Sequence, residues 1–182
     1  NKRSFRLSFR SDYGNKVWDT TLFKKCPLNG DSATNKHRTL ILRGGNNDSW
    51  ARARELQPEK TTYTRDQFLR DTQIETSGLG PHGLFVHLYI NRAYWGVYNL
   101  VERPDDSFSA AYMGGDENDW FYINHGDAGQ SRDVDKSRWE YLLGTLVKKD
   151  ISITSNYMEI QQYVDIEQFT DNVIINFWCG ST

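Results

Sequence analysis

The sequence predicts an α+β fold, rich in strands in its first half and helical in its second. Three observations carry that expectation. Two short β-type runs, residues 5–10 and 38–43, flank the early loops. A hairpin pattern covers 84–101, and nearly every periodic segment after Pro104 has helical spacing.

Phe5-Arg6-Leu7-Ser8-Phe9-Arg10 alternates apolar and polar residues, as a half-buried strand does. A turn cluster follows at 11–15, and a loose polar stretch runs from Leu28 to Lys36. Arg38 to Arg43 is the second strand, with β-branched residues around a compact apolar centre. Gly44-Gly45-Asn46-Asn47-Asp48-Ser49 then predicts a sharp loop, because Gly and Asn tolerate positive φ. Residues 50–63 are charged and mixed, with Pro58 as a breaker.

Thr64-Arg65-Asp66-Gln67 has the form of a capping box, and its helix is expected to reach Ser77 and stop at Gly78. Leu84–Ile90 and Tyr94–Val101 read as the arms of a hairpin turning at Asn91-Arg92-Ala93, with Pro104 ending the second arm. A short helix is expected at 107–113, closed by Gly114-Gly115, and a short strand at 119–123. Ser137-Arg138-Trp139-Glu140 reads as a second capping box, opening an amphipathic helix with Trp139, Leu142, Leu143, Leu146 and Val147 on one side. Further helices are expected over 156–164 and, capped by Asp165, over 166–178. The last is apolar almost all round, the pattern of a buried helix, so its covering partner is expected outside this chain.

The 182 residues are 37% apolar and 25% charged, the composition of a soluble globular domain. A net charge of -2 excludes a bulk electrostatic pull toward nucleic acid or membrane. No segment approaches the length of a membrane span, and the start has neither a signal core nor an initiator Met, which leaves the compartment open. Aromatic residues reach 14%, including six Trp, and read first as core. Cys26 and Cys179 lack metal-ligand spacing, with Cys179 read as a buried thiol. The four histidines form no cluster in sequence, so neither zinc nor another metal site is expected.

Three segments are candidates for chemistry. Arg43 with Gly44-Gly45 is either an anion-binding nest or a connecting loop. On the 64–77 helix, Asp66 and Arg70 are four apart and can pair. The acid either orients a basic phosphate contact from a neighbouring strand or belongs to a solvated charged face. Tyr98 to Pro104, where the hairpin leaves toward the helical half, can present backbone donors and acceptors to a flat ring. The acidic pairs at 105–106, 116–117 and 133/135 lack calcium-loop spacing. From the residues alone, the reading is an α+β domain with phosphate affinity.

Four segments in order resemble the CotH kinase family of atypical protein kinases, typified by the spore coat protein H. They are Lys2-Arg3-Ser4-Phe5-Arg6-Leu7, Leu42 to Ser49, Thr64-Arg65-Asp66, and Leu88-Tyr89-Ile90-Asn91-Arg92-Ala93-Tyr94-Trp95-Gly96-Val97-Tyr98-Asn99-Leu100-Val101-Glu102-Arg103. The last is similar to the family signature, with Arg92-Ala93 in place of the usual Gly-x. The resemblance implies a kinase-like fold, with a strand-rich N-lobe over 1–103 followed by a helical C-lobe from 104, incomplete at 182. It implies ATP with Mg or Mn, and phosphorylation of Ser or Thr in a protein substrate, such as a spore-coat or cell-surface protein. Lys2 or Arg43 is then the basic partner for the phosphates, Asp66 the orienting carboxylate, and Val101, Glu102 and Arg103 the hinge against adenine. The family's metal-binding carboxylates are expected beyond residue 182, so that this segment alone is expected to be inactive. The alternatives are a non-catalytic, pseudokinase-like module and a carbohydrate-binding module using Trp50, Trp95 or Trp120.

Overall fold

The computed structural model describes residues 2–45, 48–49, 61–123 and 133–180. Among these, the strands are β1 (Phe5–Ser8), β2 (Trp18–Asp19), β3 (Lys36–His37), β4 (Thr39–Arg43), β5 (Gly83–Ile90) and β6 (Ala93–Glu102). The helices are α1 (Arg65–Ser77), α2 (Asp106–Met113), α3 (Asp133–Gly144), α4 (Thr154–Ile160) and α5 (Ile166–Trp178). The fold is mixed α+β.

Four antiparallel strands form the main sheet in the order β1-β4-β6-β5. The register Phe5↔Leu42, Leu42↔Leu100 and Leu84↔Leu100 places these apolar residues of all four strands on one face. That face closes on Phe23 and Ala33, carried under the sheet by two 3₁₀ turns, Leu22–Lys25 and Gly30–Ser32. Phe23 and Leu40 have no exposed surface, and truncating a phenylalanine so placed costs about 3–5 kcal/mol. The stretch read as loose and polar, Leu28 to Lys36, therefore contributes Ala33 to the core, and Phe23 comes from the turn before it. Lys36, at the end of that stretch, belongs to a small ladder, Asp19↔Lys36 and Trp18↔His37, that the sequence did not announce.

The other face, with Ile41, Arg43, Asn99 and Val101, looks toward α1. The hairpin turns on Asn91 (φ 51°) and Arg92 (φ 68°), both left-handed, as a two-residue primed turn requires. Gly78 at φ 73° ends α1 by donating its N–H to the Ile74 carbonyl, as expected. The start of α1 differs from expectation. The Thr64 side chain caps nothing. Instead the Asp48 carboxylate accepts from the Arg65 N–H (3.3 Å) and from the Thr62 N–H (3.0 Å), a cap supplied from across the loop. Gln67 cannot complete a box because its amide is engaged with Arg70 and Asn99.

Three expectations in the second half are corrected. Residues 119–123 form no strand. Glu117–Asp119 is a 3₁₀ turn in which Asp116 and Asp119 cap each other, and Trp120 Nε1 donates to the Gly114 carbonyl at 2.8 Å. The segment's polar groups are thus satisfied locally. Ser137 does not open a helix but lies inside α3, which runs from Asp133 to Gly144. The apolar stripe then breaks: Leu146 is buried in a following 3₁₀ turn, while Leu143 and Val147 are about half exposed. Helix α4 ends at Ile160, short of the expected 164.

Asp165 caps α5 as expected, accepting from the Gln168 N–H at 3.0 Å. The helix lies against α1, with Gln168 Nε2 donating to the Ser77 carbonyl (2.8 Å). Of its apolar residues only Ile175 is buried, and Phe177 and Trp178 are largely exposed, because only one face meets α1. Cys179 is half-buried. Among the described residues no helix is long and apolar enough to cross a membrane.

Candidate functional site

A cavity of about 550 Å³ opens between the α1-facing side of the sheet and the start of α1. Ile41 and Arg43 of β4 and Asn99 of β6 form its sheet wall, with Asp66 and Gln67 on the helix wall and Tyr63 between them. That volume is in the range of ordinary small-molecule sites.

Asp48, Arg65, Arg43 and Asp66 are its charged lining residues, and Asp66 pairs two guanidinium groups. Arg43 Nε donates to Asp66 Oδ2 at 3.0 Å, and Arg70 Nη1 donates to the same oxygen. Both Arg43 and Asp66 have half-exposed side chains, whereas Arg70 is buried under the helix. Burial pulls the Arg70 guanidinium below its usual range, and Asp66 partly restores it. Arg70 also donates to the Asn99 and Gln67 side-chain oxygens, and Asn99 Nδ2 donates to Gln67 Oε1 (2.8 Å). The helix is therefore clamped to β6 by a buried polar network, and Arg43 is left facing the cavity.

The glycine turn forms the rim. A Cβ on Gly44 would stand 2.9 Å from the Lys2 carbonyl, and one on Gly45 (φ 68°) would stand 2.3 Å from the Tyr63 ring, so only glycine fits at either position. The Gly44 N–H donates to Ser4 Oγ (2.9 Å). Asn46 and Asn47 lie outside the described residues.

A second polar cluster lies at the far end of β6. Glu102 is 2% exposed and accepts from the His82 N–H (2.9 Å) and the Tyr112 hydroxyl (2.8 Å). His82 Nδ1 is 2.9 Å from Glu102, and His37 Nδ1 is 3.4 Å away. Two histidines that are scattered in sequence thus meet at one carboxylate. Tyr112 also accepts the Thr34 N–H (3.0 Å), so α2, β6, the 29–37 segment and His82, just before β5, are joined here. Burial, then the Glu102 charge, pushes the Tyr112 hydroxyl far above its ordinary value. Among the described residues no group of three or more His, Cys, Asp or Glu is placed to hold a metal ion.

A family model described as CotH kinase protein matches residues 1–182. The chain belongs to the CotH kinase family. No curated protein and no solved structure matches it.

Against this CotH frame, the structure brings Arg43 and Asp66 together at one cavity and sets Lys2 apart from them. Lys2 Nζ donates to the Tyr63 hydroxyl and to the Val97 carbonyl, and lies 4.2 Å from the Tyr98 ring centroid. Val101 is buried in the central strand, opposite Ile41 on one side and Gly83 on the other. The Glu102 N–H donates to the His82 carbonyl (3.0 Å), and its side chain is the hub of the buried cluster. Arg103 is the first residue past the ladder, half-buried, with its guanidinium 6.0 Å from the Tyr122 ring. Tyr63 and Gln67 are site residues that the sequence reading does not name as such, Arg70 enters it only as the partner of Asp66, and Asn99 only within the 98–104 segment; Tyr63 and Asn99 find their partners on other elements. Of the tryptophans, Trp95 is half-exposed with an edge contact to Phe5 (6.5 Å), Trp120 is half-buried, and Trp50 lies outside the described residues.

Proposed function

We propose that the cavity between β4, β6 and α1 binds the phosphates of ATP, and that the domain transfers a phosphoryl group to Ser or Thr of a protein substrate. The Arg43–Asp66 ion pair carries this reading. In protein kinases a basic residue on a sheet strand contacts the nucleotide phosphates and pairs with a carboxylate on the helix that follows. Here the base stands at the end of β4, the acid in the first turn of the next helix, and the next two strands are the hairpin that leads to Arg103.

A half-exposed guanidinium offers parallel donors to phosphate oxygens, which makes Arg43 the phosphate residue in this reading. Lys2, already engaged with Tyr63 and Val97, is the weaker choice of the two. Val101, Glu102 and Arg103 are proposed as the segment beside the adenine, with Arg103 the member whose backbone lies outside the ladder. The Mg or Mn that the resemblance implies finds no ligand set among the described residues.

The test of the binding step is calorimetric titration of the full chain with ATP and with adenosine. The reading expects ATP to bind, and Arg43→Ala to abolish the preference for ATP over adenosine. A chain that binds neither ligand, or an Arg43→Ala variant that keeps the preference, overturns it.

A further inference from the structure

Strand β4 ends at Arg43, opposite Asn99, while β6 runs on from there to Ala93 beside β5 alone. In this region the Val97 carbonyl accepts from the Tyr63 hydroxyl (2.7 Å) and from Lys2 Nζ. Capping that carbonyl accounts for one contact. It does not account for the others.

The Tyr63 hydroxyl also lies 3.1 Å from the Gly44 carbonyl and receives a hydrogen bond from Lys2 Nζ. The Tyr63 ring occupies the space that a Cβ on Gly45 would need, and packs 6.0 Å from the Phe85 ring. Tyr63 itself sits at φ 64°, a left-handed conformation that disfavours a side chain and persists where the surroundings enforce it. The Lys2 ammonium lies over the Tyr98 ring and 4.8 Å from the Tyr63 centroid, so its charge is held between two aromatic faces. One hydroxyl therefore joins the N-terminal arm, the glycine turn, the approach to α1 and β6.

We propose that Lys2 and Tyr63 form a positioning latch, which holds the glycine turn and the first turn of α1 against the sheet and thereby sets the separation of Arg43 and Asp66 across the cavity. Neither residue needs to touch a ligand for this. The effect on the turn stands on geometry alone, and the effect on binding rests on the nucleotide reading above.

Two variants test it in the full chain. Tyr63→Phe keeps the ring against Gly45 and removes only the hydroxyl, and Lys2→Met keeps most of the aliphatic stem. Either is expected to speed amide hydrogen exchange about tenfold at Gly44, Gly45 and 65–68, the effect of losing about one charge-assisted hydrogen bond. Amides at His82 and Glu102 are expected to be unchanged, and the double variant to exceed neither single one, because the two residues act as a unit. Unchanged exchange at the turn in Tyr63→Phe overturns the latch, as does acceleration spread evenly through the Glu102 cluster.

The binding arm titrates ATP and adenosine. Tyr63→Phe is expected to weaken ATP about tenfold and leave adenosine unaffected. Equal losses for both ligands, or none for either, overturn the positioning role. A wild-type chain that binds neither ligand counts against the nucleotide reading, and hydrogen exchange still decides the latch.

Discussion

The Arg43 guanidinium lies 3.0 Å from the Asp66 carboxylate, joining the last residue of β4 to the first turn of α1. Asp66 also accepts from buried Arg70, so one carboxylate serves two cations of unequal exposure. That inequality separates stability from binding. Arg43→Ala removes half of a half-exposed pair and is expected to change stability by no more than about 0.5 kcal/mol. Asp66→Ala leaves Arg70 short of an acceptor in a buried place and is expected to cost about 1–3 kcal/mol. Urea denaturation of both variants checks the order, and a larger loss from Arg43→Ala contradicts this account of the site.

The second prediction concerns His37. Burial holds its imidazole below the ordinary value of 6.5, outweighing the opposing pull of Glu102. His82 pushes the same way as burial, while Asp19 and a hydrogen bond to the Thr34 backbone raise the value. The unfolded chain therefore takes up a proton near pH 6.5 that the folded chain resists, and stability falls as pH drops through that value. Above it both states are neutral and the contribution is fully present. Asp71 and Asp105 are raised by burial and act with the opposite sign, but near the carboxylate range. The urea midpoint is thus expected to fall between about pH 7 and 5, and His37→Gln to flatten that slope. An identical slope in the variant removes His37 as the cause.

The hairpin was legible because both arms show β-type residues on either side of a short turn, although Ala93, read as part of that turn, already pairs with Ile90, and Asp66 and Arg70 because helical spacing pairs them. The resemblance offered Lys2 or Arg43 beside Asp66, and the choice of Arg43 needed the fold, since no local spacing relates a strand end to a residue 23 positions later. Tyr63 was still less visible: its partners, Lys2 and Val97, are 61 and 34 residues away. Glu102 was read as a hinge residue, yet its side chain is a buried anchor, because His37, His82 and Tyr112 converge only when β3, β5 and α2 are assembled. The Ser137 box misled for a different reason. Ser and Glu at that spacing also occur within helices, and nothing local to Ser137 shows that α3 already began at Asp133.

A third prediction follows from the hairpin turn. Arg92 adopts φ 68° where the family signature usually has glycine, and a side chain there costs about 1–2 kcal/mol of strain. Glycine relieves that strain but loses more entropy on folding, so Arg92→Gly is expected to stabilise the domain by a net ~0.5–1 kcal/mol. Arg92→Ala keeps the Cβ and is expected to gain nothing. Thermal unfolding of the two variants distinguishes them, and equal melting temperatures would show that the turn is unstrained.

The last prediction concerns Cys26, whose thiol donates to the Gly83 carbonyl at 3.3 Å. Burial, and then the charges of Asp71 and Glu102, push this thiol up from 9.0 to about 11. The thiolate is the reactive form, and a shift of this size lowers its population about a hundredfold at a pH below both values. Iodoacetamide at pH about 8 is therefore expected to label Cys26 far more slowly in the folded chain than in urea. The same shift bears on alkaline stability. Above pH about 9 the unfolded thiol ionises while the folded one stays protonated, so stability is lost as pH rises toward 11. Cys26→Ala removes the ionising group and is expected to flatten that alkaline slope. Rapid labelling of Cys26 in the native chain would show instead that the thiol is solvated and the Gly83 contact is open.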